Sequence, residues 1–395
     1  MLNNMMWAVA IGTVLVLTGI SVLKILSNKA FTKEQANEKF IQTFEKASKE
    51  GNAFSGVQAL VYSSRLGIDW QFAKGKSLRA GTLTKEVPFH VASVGKLFTA
   101  TILYQLAEEG KIGLDDSITR VYDKAKLGNI FVYNGIDYTE HVTYRHLLSH
   151  TSGLPDYFDG PVIAGENMQT LLKTQSDKVW QPEELLAFSI ENQKGLNTPG
   201  VTYHYSDTGY ILLGLLIESI TGHSFESALE ERIFEPSMMN DSYMSLRSKP
   251  LSGNARPIAD LWLEGMEFGD KQALTVDWAG GGIISTLEDL KKFSIALHSG
   301  KLISNGSLDF MFSGSNKFEQ GIFTGDGGMI VRFEKFFPLL NLPRVRGHIG
   351  ILSTHVFYDP TTETHIILNF GSTDKMVPSF KALIEILSVI KRIMK

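Results

Sequence analysis

Short apolar stretches of the kind found in β-strands lie near both ends of the chain, and helical spacing prevails between them. The strand-like stretches are Val57–Ser63, Trp70–Ala73, Met329–Phe333, His355–Tyr358 and His365–Phe370. From about residue 91 to residue 310, apolar positions recur mainly at the spacing of a helix face. One sheet built from both chain ends, with a large helical lobe inserted between them, explains this pattern most simply. The pattern therefore predicts an α/β (α+β) fold whose antiparallel sheet is flanked by helices.

Two further helices are predicted outside this lobe, one near each end of the chain. Thr32 and Gln35 have the spacing of a capping box, in which each side chain accepts a hydrogen bond from the other residue's backbone N–H. A helix is therefore expected to begin after Thr32. The last helix is amphipathic, with Pro378 near its start and an apolar side formed by Phe380, Leu383, Ile384, Leu387 and Ile390.

The first 29 residues contain an apolar segment that bears on location. Met5–Leu23 carries no charge and is long enough to cross a bilayer core at about 1.5 Å per helical residue. The leader before it has no Lys or Arg, and no Ala-x-Ala cleavage signal follows. Residues 1–29 are therefore interpreted as an uncleaved transmembrane anchor in preference to a cleaved signal peptide, and residues 30–395 as the folded domain.

The composition is that of a globular enzyme and excludes several kinds of chemistry. The 395 residues include 43% apolar and 20% charged side chains, with a net charge of −4 and no cysteine. Disulfides, thiolate catalysis and cysteine zinc sites are thereby excluded. No basic stripe is present, so nucleic acid is not expected as a partner. The oligomeric state is not predicted.

Glycine and histidine motifs do not predict a cofactor or a metal. Gly280–Gly282 and Gly325–Gly328 lack the lysine and hydroxyl residue of a phosphate-binding loop, and the first run is expected to allow a close backbone approach. His146 and His150 could face one metal ion from a helix, but no third ligand is evident. His150 is expected instead to fix a loop beneath the site through hydrogen bonds.

A serine three residues before a lysine is the first candidate for chemistry. A serine hydroxyl is a poor nucleophile until a nearby group removes its proton, and residues three apart share one face of a helix. The spacing occurs at Ser93/Lys96, Ser372/Lys375 and Ser388/Lys391, so it identifies nothing alone.

The surroundings distinguish these three copies. Ser388 and Lys391 lie on the last helix, whose basic end is expected to be solvated, and Ser372 lies in a Gly-Ser-Thr-Asp turn. Ser93 lies where a strand-like stretch meets an apolar helix. Backbone N–H groups at a helix start can stabilise developing negative charge. Ser93 is therefore the predicted nucleophile and Lys96 its basic partner.

Further segments follow Ser93 in an order that resembles a known family. In chain order these segments are HLLSHTSGLPDY (residues 146–157), Tyr205-Ser206-Asp207, AGGGIISTLEDLKKF (residues 279–293) and His348-Ile349-Gly350. Together they resemble the serine β-lactamase and penicillin-binding protein-like family, which includes class C β-lactamases, D-alanyl-D-alanine carboxypeptidases and related esterases. The resemblance runs from about Phe54 to the end of the chain.

The resemblance implies a catalytic role for three side chains. Ser93 would attack the substrate carbonyl and become acylated, while Lys96 and Tyr205 share the handling of the proton. Water would then hydrolyse the acyl-enzyme. The resemblance also implies a catalytic domain outside the cytoplasm, in the cell envelope, although the lysines after the apolar segment (Lys24, Lys29 and Lys33) favour the cytoplasm by charge alone.

The resemblance likewise implies residues that contact the substrate. The backbone N–H groups of Ser93 and Ile351 would form an oxyanion hole, and His348 would line the opposite wall. Gly350 would keep the strand open to the acyl group. Asp207 would face the substrate from beside Tyr205.

Two positions depart from the family pattern. Asp207 replaces the usual asparagine; it could pair with Lys96 and hold it charged, or act only as an N-cap for the helix that follows. His348 replaces the lysine of β-lactamases, which exchanges a permanent cation for a group that titrates near neutral pH. Binding of a substrate carboxylate should therefore be weaker.

The sequence thus predicts a membrane-anchored serine hydrolase that acts through an acyl-enzyme on an amide or ester. Its expected partners are the membrane and a small peptide, β-lactam or ester substrate, which the sequence does not separate. The alternative is a membrane-tethered, catalytically weak pseudo-hydrolase that binds a peptide or acyl ligand because Asp207 has disabled Lys96.

Overall fold

The computed structural model describes residues 30–49 and 56–393. The apolar segment Met5–Leu23 and the anchor assigned to residues 1–29 lie outside the described residues, so that assignment stays a prediction. Among the helices that the structure describes, none is long and apolar enough to cross a membrane.

The helices of the described chain range from single turns to the 18 residues of the last helix. They are α1 (Lys33–Ala47), α2 (Lys96–Glu108), α3 (Tyr144–Leu148), α4 (Met168–Thr174), α5 (Pro182–Asn192), α6 (Asp207–Thr221), α7 (Phe225–Leu229), α8 (Glu235–Ser237), α9 (Trp278–Gly281), α10 (Leu287–His298), α11 (Asn305–Met311) and α12 (Met376–Ile393).

The strands form one large sheet and several small ones. They are β1 (Val57–Ser63), β2 (Ile68–Lys74), β3 (Lys76–Ser77), β4 (Gly81–Thr82), β5 (Phe89–His90), β6 (Val132–Tyr133), β7 (Ile136–Asp137), β8 (Tyr243–Met244), β9 (Trp262–Leu263), β10 (Met266–Glu267), β11 (Ile283–Ser285), β12 (Asn316–Glu319), β13 (Ile322–Thr324), β14 (Met329–Val331), β15 (Val345–Gly350), β16 (Thr354–Asp359) and β17 (Thr364–Asn369).

The large sheet joins the two ends of the chain, as the sequence predicts. Its eight strands run in the order β12-β13-β14-β15-β16-β17-β1-β2, and all neighbours are antiparallel. Within it, Gln58 of β1 lies opposite Asn369 of β17, and the Asn369 amide donates to Gln58 Oε1 at 2.9 Å. The fold class is confirmed: a mixed α/β structure in which residues between β2 and β12 form the inserted helical lobe.

Alternation along the sheet strands divides the core into two layers. Ala59 and Val61 of β1 pack with α1 and α12 on one face, whereas Leu60 packs with the helical lobe on the other. Successive side chains of a strand point to opposite faces, so a sheet covered on both sides buries every position of its central strands. In β17 all six residues are buried.

Local signals predicted several boundaries well and others less well. The Thr32–Gln35 capping box is present, and β1 has the predicted bounds. The prediction of a strand over Met329–Phe333 was too long: β14 ends at Val331, and Phe333 begins a 3-10 turn. The helical lobe also contains a small sheet, β5-β11-β8, that periodicity did not predict, because strands of two or three residues show no repeat.

Candidate active site

Ser93 lies in a tight turn between a short strand and a largely buried helix. The 3-10 turn Ala92–Gly95 connects β5 to α2. Ala92 has a φ of +50°, a left-handed conformation that is uncommon for a residue with a Cβ. Strained backbone of this kind is concentrated at functional sites. The turn leaves Ser93 partly exposed in front of α2, while Lys96 on the next turn points inward.

The Lys96 ammonium group is fully buried and surrounded by polar partners. Its exposed fraction is 0%, and its Nζ lies 3.3 Å from Ser93 Oγ and 2.9 Å from the Gly280 carbonyl oxygen, to both of which it donates. Nζ also forms an ion pair with Asp207. A buried ammonium without such partners would be strongly disfavoured. The structure therefore brings Ser93, Lys96 and Asp207 into one contact network.

The charges around Lys96 favour its protonated form. Burial lowers the pKa of Lys96, but the carboxylates of Asp207 and Asp277 more than offset this and raise that pKa above its usual value. The sequence-based concern about Asp207 is therefore justified by the geometry: the carboxylate pairs with the lysine and holds its proton.

Tyr205 completes the group around Ser93. Its hydroxyl hydrogen-bonds Ser93, and the Lys96 Nζ lies 5.1 Å from the centroid of its ring. Burial, followed by the charge of Asp207, raises the pKa of Tyr205 well above its usual value, so the side chain is a neutral phenol. A neutral phenol can donate a proton and accept another through the same oxygen.

His150 holds the loop that carries Tyr205. Its ring stacks on the Tyr205 ring with centroids 4.3 Å apart, and its Nδ1 accepts a hydrogen bond from the Ser206 N–H at 3.1 Å. The expectation that His150 fixes a loop beneath the site agrees with this geometry. His146 serves elsewhere, since its Nδ1 accepts from the Thr143 N–H at 3.2 Å at the start of α3.

Asp207 is not the N-cap of α6, which corrects one of the two sequence interpretations. The N-cap residue is Ser206, and Asp207 is the first residue of the helix. From that position its carboxylate reaches Lys96, while its N–H donates to Asp156 Oδ1 at 3.1 Å.

Two acidic residues of this site were missed by the sequence interpretation. Burial raises the pKa of Asp156 well above its usual range, and the neighbouring Asp207 adds to the effect. Burial also raises the pKa of Asp277 to about 7, although the Lys96 charge opposes it. Asp156 lies in the predicted segment 146–157 and Asp277 just before the glycine run, so their positions beside family motifs were the available signal.

The glycine run makes the close backbone approach that was predicted. A Cβ on Gly281 would lie 2.5 Å from the carbonyl oxygen of Ala92, and a Cβ on Gly280 would lie 3.2 Å from Asp207 Oδ1. Contacts under 3 Å are not tolerated by real side chains, so only glycine lets α9 pack against the turn that carries Ser93.

The strand opposite Ser93 also depends on a glycine. A Cβ on Gly350 at the end of β15 would lie 2.7 Å from the Val91 carbonyl oxygen and 3.5 Å from the Ser93 nitrogen. The next residue, Ile351, lines the cleft in front of Ser93. Ser93 and Ile351 thus line the same cleft, which is compatible with the oxyanion hole that the resemblance implies.

His348 does not behave as the sequence suggested. Its side chain is 2% exposed, is absent from the described residues that line the cleft, and accepts the Ile349 N–H at Nδ1 at 2.9 Å. Burial and the nearby Lys96 charge lower the pKa of His348 to about 3. The expectation that it titrates near neutral pH was wrong, because a desolvated imidazole beside an ammonium stays neutral.

The cleft in front of Ser93 is apolar with an acidic lining. It measures about 1270 Å³ including its open mouth, and Ser93, Tyr205, Asp207 and Ile351 all line it. The other acidic residues at its wall are Asp156, Asp159 and Asp277. Its apolar wall includes Phe158, Leu172, Leu261, Leu263, Phe268, Leu274, Val276, Phe318, Met329, Ile349 and Leu352. Among the described residues, no lysine or arginine lines the cleft.

Comparison with known proteins gives the same family that the motifs suggested. The family model named Beta-lactamase matches residues 41–388. Penicillin-binding protein 4* of Bacillus subtilis (strain 168) is 30% identical over 210 residues, which are 53% of this chain and 42% of that protein. The matched region thus spans less than half the length of this relative.

Solved structures share the fold at low sequence identity. D-amino acid amidase from Ochrobactrum anthropi SV3, complexed with L-phenylalanine amide, has a TM-score of 0.73 at 22% identity and covers 91% of this chain and 100% of its own. EstCE1, a hydrolase with promiscuous acyltransferase activity, has a TM-score of 0.68 at 19% identity. It covers 88% of this chain and 98% of its own. Since the family model spans most of the described residues, the chain belongs to the beta-lactamase family.

Proposed function

We propose that this protein is a serine hydrolase that acts on esters or amides through an acyl-enzyme on Ser93. The observation that carries the proposal is the contact of Ser93 Oγ with two proton-handling groups at once, the buried Lys96 ammonium at 3.3 Å and the hydrogen-bonded Tyr205 hydroxyl. A protein that only binds a ligand has no need of this arrangement. The amidase and the hydrolase that share its fold support an ester or amide substrate.

The proposed reaction begins with loss of the Ser93 proton. Lys96 accepts that proton in its neutral form, and the serine oxygen attacks the substrate carbonyl. The backbone N–H groups of Ser93 and Ile351 stabilise the oxyanion that forms. Tyr205 donates a proton to the leaving group as the intermediate collapses to the acyl-enzyme. Water then attacks the acyl carbon and gives a proton back to Tyr205, and Lys96 returns its proton to Ser93 as the acid is released.

The protonated state of Lys96 sets the rate of the first step. Because Asp207 and Asp277 raise the pKa of Lys96, only a small fraction of the molecules carries a neutral lysine at pH 7. The reaction is therefore expected to accelerate as the pH rises.

The charge of the cleft favours substrates without a carboxylate. His348 is neutral and buried, and no lysine or arginine of the described residues lines the cleft to pair with a substrate carboxylate. The apolar side chains of the cleft accommodate an uncharged acyl group. We therefore propose neutral esters and amides in preference to β-lactams or peptides that end in a free carboxylate.

Covalent labelling tests the proposal directly. Wild type and Ser93→Ala are treated with a fluorescent fluorophosphonate and a fluorescent β-lactam, and hydrolysis of p-nitrophenyl butanoate is followed in parallel. We expect Ser93-dependent labelling by the fluorophosphonate, weak labelling by the β-lactam and ester hydrolysis. Absence of Ser93-dependent labelling by both probes, together with no ester hydrolysis, would instead indicate a protein that only binds its ligand.

A further inference from the structure

His90 lies beside the nucleophile and has no role in the reaction described above. It is the second residue of β5, three residues before Ser93, and its side chain is 4% exposed. It nevertheless lines the cleft together with Ser93 and Ala92. A buried polar side chain in the wall of a substrate cleft requires an explanation.

The hydrogen bond at one ring nitrogen fixes the tautomer of His90. Its Nδ1 accepts the Ala92 N–H at 3.1 Å, which supports the left-handed backbone of Ala92 directly before Ser93. Burial lowers the pKa of His90 to about 4, so the ring is neutral at physiological pH. A neutral imidazole that accepts at Nδ1 carries its hydrogen at Nε2.

That Nε2–H is a donor without an acceptor. Nε2 of His90 is buried and has no hydrogen-bond partner among the residues that the structure describes. An unsatisfied buried donor destabilises a folded protein, whereas a ligand that supplies an acceptor removes this cost. Sites that present such a donor discriminate strongly against analogues that lack the matching acceptor.

We propose that His90 Nε2–H donates a hydrogen bond to an uncharged oxygen of the substrate, and that the cleft therefore prefers esters or amides with a second carbonyl or ether oxygen. The inference rests on the proposed hydrolase function and names the substrate class for the same cleft. An uncharged oxygen fits because no lysine or arginine of the described residues lines the cleft to balance an anionic acceptor. The oxygen belongs either to the acyl group or to the leaving group, and the two are separated by experiment.

Two variants divide the functions of the two ring nitrogens. In His90→Asn the amide oxygen replaces Nδ1 as the acceptor for the Ala92 N–H, and nothing reaches the position of Nε2. In His90→Gln the longer side chain places an amide nitrogen near the position of Nε2 but loses the support of Ala92. A purely structural role predicts the greater damage in His90→Gln, whereas a substrate contact predicts loss of selectivity in His90→Asn alone.

The substrates are two matched pairs. p-Nitrophenyl methoxyacetate and p-nitrophenyl butanoate differ by an oxygen in place of a methylene in the acyl group. 4-Acetylphenyl butanoate and 4-isopropylphenyl butanoate differ in the leaving group, where a carbonyl oxygen takes the place of a methyl group. The ratio of kcat/KM within a pair is compared between variants, so that intrinsic reactivity cancels.

We expect the ratio to favour the oxygen-bearing member of one pair, to fall about tenfold or more in His90→Asn and to recover in part in His90→Gln. The pair that responds identifies the acyl or leaving-group side. Ratios that are unchanged in both pairs, while the wild type hydrolyses all four esters, would overturn the role of His90 alone. If the wild type hydrolyses none of them, the proposed hydrolase function fails instead.

The test remains decisive where His90→Asn does not fold. The wild-type ratio is then compared with the ratio for hydrolysis by hydroxide, which measures intrinsic reactivity. A wild-type preference no greater than that of hydroxide in either pair contradicts the proposal, and a greater preference that His90→Gln retains supports it.

Discussion

Ser93 with Lys96 and Ser388 with Lys391 have the same spacing, yet the structure gives the two lysines different surroundings. Lys96 is fully buried, contacts Ser93 Oγ and pairs with Asp207. Lys391 on α12 donates to the carbonyl oxygens of Leu340 and Asn341, at 3.0 and 2.8 Å, and so fastens a loop to the helix. The basic end at Lys391 is partly exposed, in keeping with the expectation, and in addition holds this loop. The spacing aligns the two side chains, and the surroundings decide whether the lysine can take part in chemistry.

The third copy has a structural role of another kind. Ser372 accepts the Asp374 N–H at 3.2 Å and caps a 3-10 turn, while its own N–H donates to the Leu352 carbonyl oxygen at 3.0 Å. This agrees with the turn that the sequence predicted. Position within the fold, and not the pattern Ser-x-x-Lys, separates the three copies.

The largest effect is expected from removing each serine in turn. Ser93→Ala should lower ester hydrolysis by at least about 10⁴-fold and abolish fluorophosphonate labelling, because the nucleophile is lost. Ser388→Ala is the matched control and should retain both. Labelling that persists in Ser93→Ala and disappears in Ser388→Ala would identify Ser388 as the nucleophile in place of Ser93.

Replacing each lysine should lower the free energy of unfolding by different amounts, because the two lysines have different surroundings. Lys96→Met leaves Asp207 and Asp277 without their cation, which should lower the free energy of unfolding by about 3–5 kcal/mol. Lys391→Met removes hydrogen bonds to two partly accessible carbonyls and should cost about 1 kcal/mol. Urea unfolding measures both. Equal losses would mean that Lys96 is not held by the carboxylates.

A smaller effect is expected when the carboxylate beside Lys96 is neutralised. Asp207→Asn should lower the pKa of Lys96, so a larger fraction is neutral at pH 7 and acylation accelerates by about tenfold. The rising limb of the pH–rate profile should move to lower pH. Stopped-flow labelling with a fluorophosphonate from pH 5 to pH 9 provides the measurement. A rate that is unchanged at every pH would show that Asp207 does not restrain the lysine.

The smallest expected effect concerns stability and pH. The pKa of Asp277 is about 7 in the folded protein and 3.8 as an unperturbed group, so between these values the unfolded chain releases a proton that the folded protein keeps. Stability should therefore fall as the pH rises through this window and level off above it. Asp277→Asn should remove about 1 kcal/mol of this dependence, after allowance for partial solvation.

Urea unfolding at pH 5 and pH 8 measures that slope. Asp374→Asn, beside the lysine of the third copy, is the matched control and should retain the wild-type slope. If Asp277→Asn keeps the wild-type change of the free energy of unfolding with pH, another residue is the titrating group.

The elements that depend on local signals were predictable from the sequence. The capping box at Thr32, the bounds of β1 and the position of Ser93 at a helix start follow from neighbours within a few residues. The pairing of both chain ends in one sheet followed from the distribution of strand-like stretches. The family motifs, taken in order, indicated the family that the comparisons show.

The electrostatics of the site could not be predicted in this way. Asp207 and Asp277 come from separate elements, and only the packing of the lobe brings both carboxyl groups to Lys96, with Asp156 beside Asp207. The neutral state of His348 depends on its burial beside Lys96, which no local pattern encodes. Long-range packing therefore sets the protonation states, whereas the sequence pattern sets the residue types.

The pairing of β1 with β17 has a consequence for synthesis. Gln58 meets Asn369, which lies 311 residues later, so the ribosome needs roughly 15 to 60 s at about 5–20 residues per second before the partner strand exists. During that interval one edge of β1 has no neighbour, and an unpaired strand edge is a template for aggregation. Closing so long a loop also slows folding. Nascent chains of this protein should therefore depend on a chaperone until the last strand emerges. Any chain truncated before β17 should be recognised by chaperones as unfolded.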